Sequence, residues 1–270
     1  MSLRLAGPLL LVGAGKMGGA LLEGWLRQGL DPKHVFVRDP GPPADVAALI
    51  ARHSIDSASL PKSAAVIVVA VKPQLVDETL KELTPVIGKG TVVLSIAAGR
   101  TLATLAKPLP EGTAIVRAMP NTAAAVGHSM TVACANDAVS RDQALACGSL
   151  LEAVGELMWI EDESLMDAVT AVSGSGPAYV FLLAECLAEA GREAGLDAEL
   201  ANELARATVS GAGALLSQSD LSAAKLRENV TSPKGTTAAA LEVLMGKGGF
   251  KDLLVRAVAA ATKRSRELSS

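Results

Sequence analysis

Leu9-Leu10-Leu11-Val12-Gly13-Ala14-Gly15-Lys16-Met17-Gly18 is the stretch on which the reading of this 270-residue chain turns. Four aliphatic residues in a row, stopped by a glycine, read as a short strand buried on both faces. From Lys16 to Gln28, the residues Met17, Ala20, Leu21 and Trp25 recur at helical spacing, so a helix follows. A GxGxxG string is weak alone, but between a strand and a helix it becomes a dinucleotide-binding fingerprint. Gly13 permits the tight turn, Gly15 lets the backbone approach a pyrophosphate, and Gly18 lets the helix pack on the strand. The amides of Lys16, Met17 and Gly18 would then face the anion at the helix N-terminus.

Strand and helix signals keep alternating beyond this stretch. Strand-like runs at 35–37, 66–71, 91–96 and 114–118 are interleaved with helical patterns at 46–52 and 74–83. Two later strands, 130–135 and 157–160, flank a helix over 141–153. This order predicts an α/β fold with a parallel, doubly wound sheet whose ligands sit at the carboxyl edge. Arg38-Asp39 ends the second strand. Asp39 there accepts hydrogen bonds from a ribose hydroxyl and repels a 2′-phosphate, whereas Arg38 would attract one; the expectation is NADH or NADPH, leaning to NADH. Three more strand ends break into small residues or proline at that edge: Ala70-Val71-Lys72-Pro73, Ile96-Ala97-Ala98-Gly99 and Met119-Pro120-Asn121-Thr122. Asn121 has the donor and acceptor to bond a nicotinamide carboxamide. On spacing alone, plain loops fit these three segments equally well.

After residue 160 the texture changes to Ala-, Leu- and Glu-rich segments of helical period, at 177–194, 198–216, 221–228, 236–245 and 250–268. The expected organisation is a dinucleotide-binding domain over 1–160 and a helical domain over 161–270. A helical half this apolar buries part of itself against a second copy of the chain more readily than it stands alone. Two loops precede helix starts, Ser173-Gly174-Ser175-Gly176-Pro177 and Thr231-Ser232-Pro233-Lys234-Gly235-Thr236-Thr237. Either can offer backbone amides to a carboxylate, and either can be ordinary capping.

Composition excludes several classes. Only two Trp, one Tyr and three Phe accompany a 50% hydrophobic content, so the core is aliphatic. A net charge of −3 lacks the basic surplus of a nucleic-acid binder. Cys134, Cys147 and Cys186 are odd in number and unspaced for disulfides, and His34, His53 and His128 form no metal-ligand pattern. No secretory pattern marks the first residues, and the longest apolar runs, such as 64–71, are of strand length; no membrane segment and a cytoplasmic location are expected.

In chain order, the stretches 12–18, 70–73, 95–99, 117–122, 173–179 and 229–237 together resemble the Δ1-pyrroline-5-carboxylate reductase family, across essentially the whole chain. Arg-Ala-Met-Pro-Asn-Thr at 117–122 and Ser-Gly-Ser-Gly-Pro-Ala-Tyr at 173–179 are the most specific of these strings. The resemblance implies an N-terminal Rossmann domain followed by an all-helical dimerisation domain, with active sites formed between two subunits and dimers that often assemble into rings of five. It implies an oxidoreductase that transfers hydride from NAD(P)H to C5 of the cyclic imine, the last step of proline biosynthesis. Thr237 matches the threonine that contacts the ring nitrogen. Gly235, Thr236 and Thr237 match the carboxylate cradle, Ser175 and Gly176 join the substrate site, and Asp220 falls where a carboxylate approaches the ring. Three positions depart from the family's pattern: Lys234 stands where glycine is usual, Ala123 where proline is common, and Pro40 where many NADPH-preferring relatives carry arginine.

Two other readings share parts of this pattern. A β-hydroxyacid dehydrogenase has the same two-part plan but needs a lysine early in its helical domain, and no lysine lies between Lys107 and Lys225. A non-catalytic dinucleotide sensor would have no need of the loop that ends in Thr237.

Overall fold

The computed structural model describes residues 3–269. The chain falls into two compact units, one running through Gly174 and taking in the residues from Thr262 onward, the other Ser175–Ala261. Compactness thus places the division fourteen residues later than the change of sequence texture suggests, and the end of the last helix groups with the first unit.

The first unit begins β1 (Leu9–Val12), α1 (Lys16–Arg27), β2 (Val35–Arg38), α2 (Ala44–Arg52), β3 (Val66–Val69), α3 (Val76–Leu83), β4 (Val92–Ser95) and α4 (Leu102–Ala106). It continues with β5 (Ala114–Met119), β6 (Ser129–Ala135), α5 (Arg141–Glu152) and β7 (Gly155–Trp159). The seven strands form one sheet in the order β2-β1-β3-β4-β5-β6-β7. Every pairing is parallel except β5 with β6. The uniformly parallel expectation fails there for a reason of chain length. Only residues 120–128 connect β5 to β6, too few for a crossover, so the chain must turn back on itself. The helix α5 then restores a parallel return to β7.

Alternation along β1 sends Leu9 and Leu11 into one aliphatic layer and Leu10 and Val12 into the other. The first layer is closed by α1 and α5, with Trp25 fully buried and its indole N–H donating to the Leu150 carbonyl at 2.8 Å. The second is closed by α3 and α4 through Val76, Leu80 and Leu105. Each such side chain contributes roughly 1.5–3 kcal/mol on burial. Helix α4 has no long periodic signature in the sequence; it is short and starts on Thr101, whose hydroxyl accepts from the Thr104 amide.

Residues 161–174 stay with the sheet. A 3-10 turn at Glu163–Leu165 leads into α6 (Met166–Val169) and a π turn at Thr170–Gly174. Met166 is fully buried against Val132 and Cys134. The expected flexible loop at 173–177 is instead the end of this π turn, running directly into α7 (Gly176–Glu193) with Pro177 in its first turn.

The second unit pairs α7 with α8 (Ala198–Ser217). They join through Gly195 at φ +99° and Asp197, whose side chain accepts from the Leu200 amide at 3.0 Å. Three helices follow: α9 (Ala223–Asn229), α10 (Thr236–Met245) and α11 (Phe250–Ser269). Their bounds lie within two residues of the sequence expectation. Much apolar surface stays uncovered in the single chain, including Phe181, Leu182, Val243 and Met245. The helical stretch Glu163–Glu193 is by length and composition apolar enough to cross a membrane. Counting uninterrupted apolar runs missed it, because Asp167 and Glu185 break the run without breaking the helix.

Candidate functional site

Strand register aligns one edge of the sheet. Val12 pairs with both Arg38 and Val69, Val69 with Ser95, and Ser95 with Arg117. The residues that follow, Gly13, Asp39, Ala70 and Ile96, therefore emerge side by side at the carboxyl ends. The strand order reverses direction between β1 and β3, which opens a crevice at Gly13.

The glycine loop is sterically specified. Gly13 has φ +91°, and a Cβ there would lie 2.7 Å from the carbonyl of Ala70. A Cβ on Gly18 would lie 2.1 Å from the Gly13 carbonyl oxygen, so only glycine lets α1 sit this close to β1. A Cβ on Gly15 would meet nothing within 4 Å. Gly15 is also the N-cap of α1, with no side-chain cap and no acidic residue in the first turn. An open space bounded by uncapped helix amides suits a diphosphate, and these residues fit a dinucleotide.

Asp39 is half-buried beside that loop. Its Oδ2 accepts from the Ala14 amide at 2.6 Å and its Oδ1 from the Gly41 amide at 2.8 Å. It fixes the loop's path, and each oxygen keeps a lone pair for a ribose hydroxyl. Lys16, Arg38, Lys72 and Ala98 are exposed; Met17, Ala70, Val71 and Pro73 are half-buried. Ala97 and Pro120 are buried, so they shape the edge from beneath; Ala97 belongs to the α3–α4 layer.

Asn121 is tied into the protein by its side chain. Its Oδ1 accepts from the Ala123 amide at 3.1 Å and its Nδ2 donates to the Ser173 carbonyl and hydroxyl at 3.3 Å. The carboxamide expected to read a nicotinamide is thus oriented by the protein on both sides, and its Oδ1 keeps a second lone pair. The departure at Ala123 matters here, because a proline at that position would have no N–H to give. The Asn121 amide itself donates to Ser129 Oγ at 3.1 Å.

Of the residues proposed to hold substrate, Gly235, Thr236 and Thr237 form the start of α10, which has no side-chain cap. Ser175 and Gly176 begin α7, and Asp220 is exposed between α8 and α9. Lys234, just before the α10 cap, is held at φ +60°, in the left-handed region that favours glycine.

Sequence reading quoted Ser173 and Arg117 within longer strings but missed the tie of Ser173 to Asn121 and the pair Arg117–Glu163, whose Nη1 and Oε1 are 2.8 Å apart. Forty-six residues separate the pair, so no local spacing signals it. Burial pushes the Cys134 thiol up to about 11, with Glu163 adding to the rise and Arg117 opposing it. Burial alone pushes Cys147 up to about 12. Both are thiols at neutral pH and poor nucleophiles. Among the described residues, no three His, Cys, Asp or Glu side chains converge to hold a metal ion. A concavity of about 780 Å³ lies at the opposite, amino-terminal edge of β3–β5, beside Lys89, Glu111 and Asp142, away from the glycine loop.

Comparison with known proteins agrees with this geometry. Residues 163–268 match the family model for pyrroline-5-carboxylate reductase dimerisation, and residues 9–99 the model for NADP oxidoreductase, coenzyme F420-dependent. A pyrroline-5-carboxylate reductase of Pseudomonas aeruginosa is 39% identical over 261 residues, covering 96% of this chain and 95% of that protein. The solved structure of a pyrroline-5-carboxylate reductase from Coxiella burnetii superposes with a TM-score of 0.90 at 34% identity, covering 98% of this chain and 100% of that one. The pyrroline carboxylate reductase of Plasmodium falciparum, solved with NADP bound, gives 0.83 at 30% identity, over 98% and 99% of the two chains. A glycine loop shaped for a dinucleotide, a helical half matching a dimerisation model and likeness along the full length converge on one conclusion: this chain belongs to the pyrroline-5-carboxylate reductase family.

Proposed function

We infer that the chain reduces Δ1-pyrroline-5-carboxylate to L-proline with a pyridine nucleotide, as the last step of proline biosynthesis. The observation that carries this reading is the open space over Gly15 at an uncapped helix start, on a chain 39% identical to a reductase of that name. Bound reduced nicotinamide supplies a hydride to C5 of the imine. The amides at the start of α1 hold the diphosphate, and Asp39 takes a ribose hydroxyl. Amides at the start of α10, from Gly235 to Thr237, hold the substrate carboxylate, and Thr237 Oγ1 orients the ring nitrogen by one hydrogen bond. Ser175, Gly176 and Asp220 complete the substrate site in this reading. A protonated imine is already electrophilic, so the protein's work is alignment, and no strong base is required.

The finer reading is that NADH is preferred over NADPH. Asp39 has its two oxygens beside the loop, and a 2′-phosphate would meet that carboxylate. Self-association through the helical half makes a dimer, with a ring of five dimers as the further expectation, in the cytoplasm. The apolar helix Glu163–Glu193 then faces protein and not lipid.

Oxidation of NADH and NADPH, side by side with pyrroline-5-carboxylate, tests both levels. Imine-dependent oxidation is expected, faster with NADH, and Asp39→Ser should raise the NADPH/NADH ratio of kcat/KM about tenfold, equivalent to ~1.4 kcal/mol. Dinucleotide binding without oxidation would favour a sensor; an unchanged ratio would remove Asp39 from selection.

A further inference from the structure

We propose that Glu163 is a positioning residue for hydride transfer: it fixes the two strand ends that flank the nicotinamide half of the cofactor site. The proposal rests on the site reading above, in which Asp39 marks the adenosine flank at β2. The nicotinamide half then lies on the opposite flank, over the ends of β4 and β5.

Both of those ends converge on one carboxylate oxygen. Glu163 Oε1 accepts from Arg117 Nη1 at 2.8 Å and from the Leu102 amide at 2.8 Å. Leu102 opens α4, directly after the loop Ala97-Ala98-Gly99. Arg117 lies on β5, four residues before Asn121 and paired in register with Ser95 of β4 and Cys134 of β6.

Arg117 is only 5% exposed. A guanidinium inside an aliphatic sheet is costly to desolvate, and an apolar residue would serve packing as well or better. Its retention makes sense where direction matters, because a charged hydrogen bond fixes angle and distance as aliphatic contact cannot.

The segment that Glu163 begins is fastened again at its other end. Asn121 Nδ2 donates to Ser173, and the Ser173 hydroxyl donates to the Met130 carbonyl at 3.3 Å. A Cβ on Gly174 would lie 2.5 Å from Met119 Cε, so the π turn rests directly on the end of β5. Residues 163–174 therefore form a strap anchored at Arg117 and at Asn121, two points on the same strand end. Its first anchor also holds α4, and so the β4 loop. The strap sets the spacing between the loops that bracket the ring from which the hydride leaves. A misplacement on the scale of 1 Å there can slow transfer about a hundredfold without loosening the rest of the dinucleotide.

Glu163→Gln, Arg117→Met/Glu163→Met and Thr237→Ala, each in the full chain, test this. Glu163→Gln should lower kcat at least about tenfold, while KM for the dinucleotide moves less than about threefold. Exchange of the Leu102 amide with solvent deuterium should accelerate in the protein without cofactor. The double variant removes the buried guanidinium and its half-buried carboxylate partner together; it should regain the melting temperature but not kcat. Wild-type kcat in Glu163→Gln, or recovery of kcat along with stability in the double variant, would overturn the proposal, leaving the pair a purely structural one. Thr237→Ala separates the two levels. If Thr237→Ala is slow while Glu163→Gln turns over normally, the site reading stands and this proposal falls. If Thr237→Ala turns over normally, the site reading itself is wrong.

Discussion

The two units treat apolar residues in opposite ways. In the first, β1, β3 and β4 are buried along their whole length, and Leu9, Leu10, Leu11 and Ile67 have no exposure. In the second, the buried hydrophobics among the described residues are three alanines, Ala188, Ala201 and Ala205. Phe181 is 68% exposed and Val243 76%. The first unit closes its core within one chain. The second has a core's composition but no cover, and the dimerisation model that spans it names the cover as another copy. Self-association, as proposed, makes the stability of the second unit bimolecular, whereas that of the first is local.

The largest expected effect follows from that contrast. Phe181→Asp places a charge on the uncovered face of α7. In a two-fold dimer each substitution is felt twice, and every Phe lost from a buried interface forgoes about 1.5–3 kcal/mol before the charge is counted. The variant should sediment as monomer or aggregate, with a melting temperature at least about 10 °C lower. The wild-type melting temperature should rise with protein concentration, as mass action requires of a folded dimer. A Phe181→Asp protein that stays dimeric and melts normally would break the comparison, because the exposed face would then have no partner.

A smaller, local effect separates packing space from ligand space in the first unit. Gly18→Ala forces its methyl into the Gly13 carbonyl and should cost roughly 1–3 kcal/mol of stability as well as dinucleotide affinity. Gly15→Ala meets no protein atom within 4 Å. It should leave the melting temperature within about 2 °C of wild type while raising the Kd for NADH at least about tenfold. Calorimetry and a fluorescence titration read the two quantities. If Gly15→Ala binds normally, the space above the loop is not where the diphosphate sits.

These contrasts also show what the residues disclose without coordinates. Periodicity and glycine spacing record local sterics, so β1, α1 and the five helices of the second half were legible, as was the division into sheet and helical halves. The antiparallel turn into β6 could have been read from the short connection, residues 119–129, left between two expected strands, because a parallel crossover needs a longer one; hydrophobic pattern alone does not register it. Ser173 and Gly174, the end of the π turn, read as part of a loop over 173–177 because Gly and Ser are poor helix formers, and tertiary ties to Asn121 and Met130 override that propensity. Asn121 was singled out for its carboxamide, but its partner Ser173 lies 52 positions away. Sequence spacing cannot show which of two hydrogen-bonding groups will find each other across such a gap. The substrate loop, by contrast, was visible only as a capping-rich string until likeness to a family gave each residue a role.

Lys234 supplies the smallest effect and the finest test of where strain is kept. It sits at φ +60° immediately before Gly235, the cap of α10, in the left-handed region that favours glycine. A side chain there costs about 1–2 kcal/mol relative to glycine in the folded state. Glycine's greater freedom in the unfolded chain returns about 0.4–1 kcal/mol of that difference. Lys234→Gly should therefore stabilise by at most about 1.5 kcal/mol, a rise of no more than about 5 °C in melting temperature. The strain is tolerated beside the amides proposed to hold the substrate carboxylate, and the ammonium adds a positive charge to that neighbourhood. The variant should accordingly raise KM for the imine about threefold, with kcat and the dinucleotide KM unchanged, and the effect should shrink in high salt as exposed charges are screened. A rise in stability with no change in KM would mean that the lysine is merely endured. It would also leave the Gly235–Thr237 amides to hold the carboxylate by themselves.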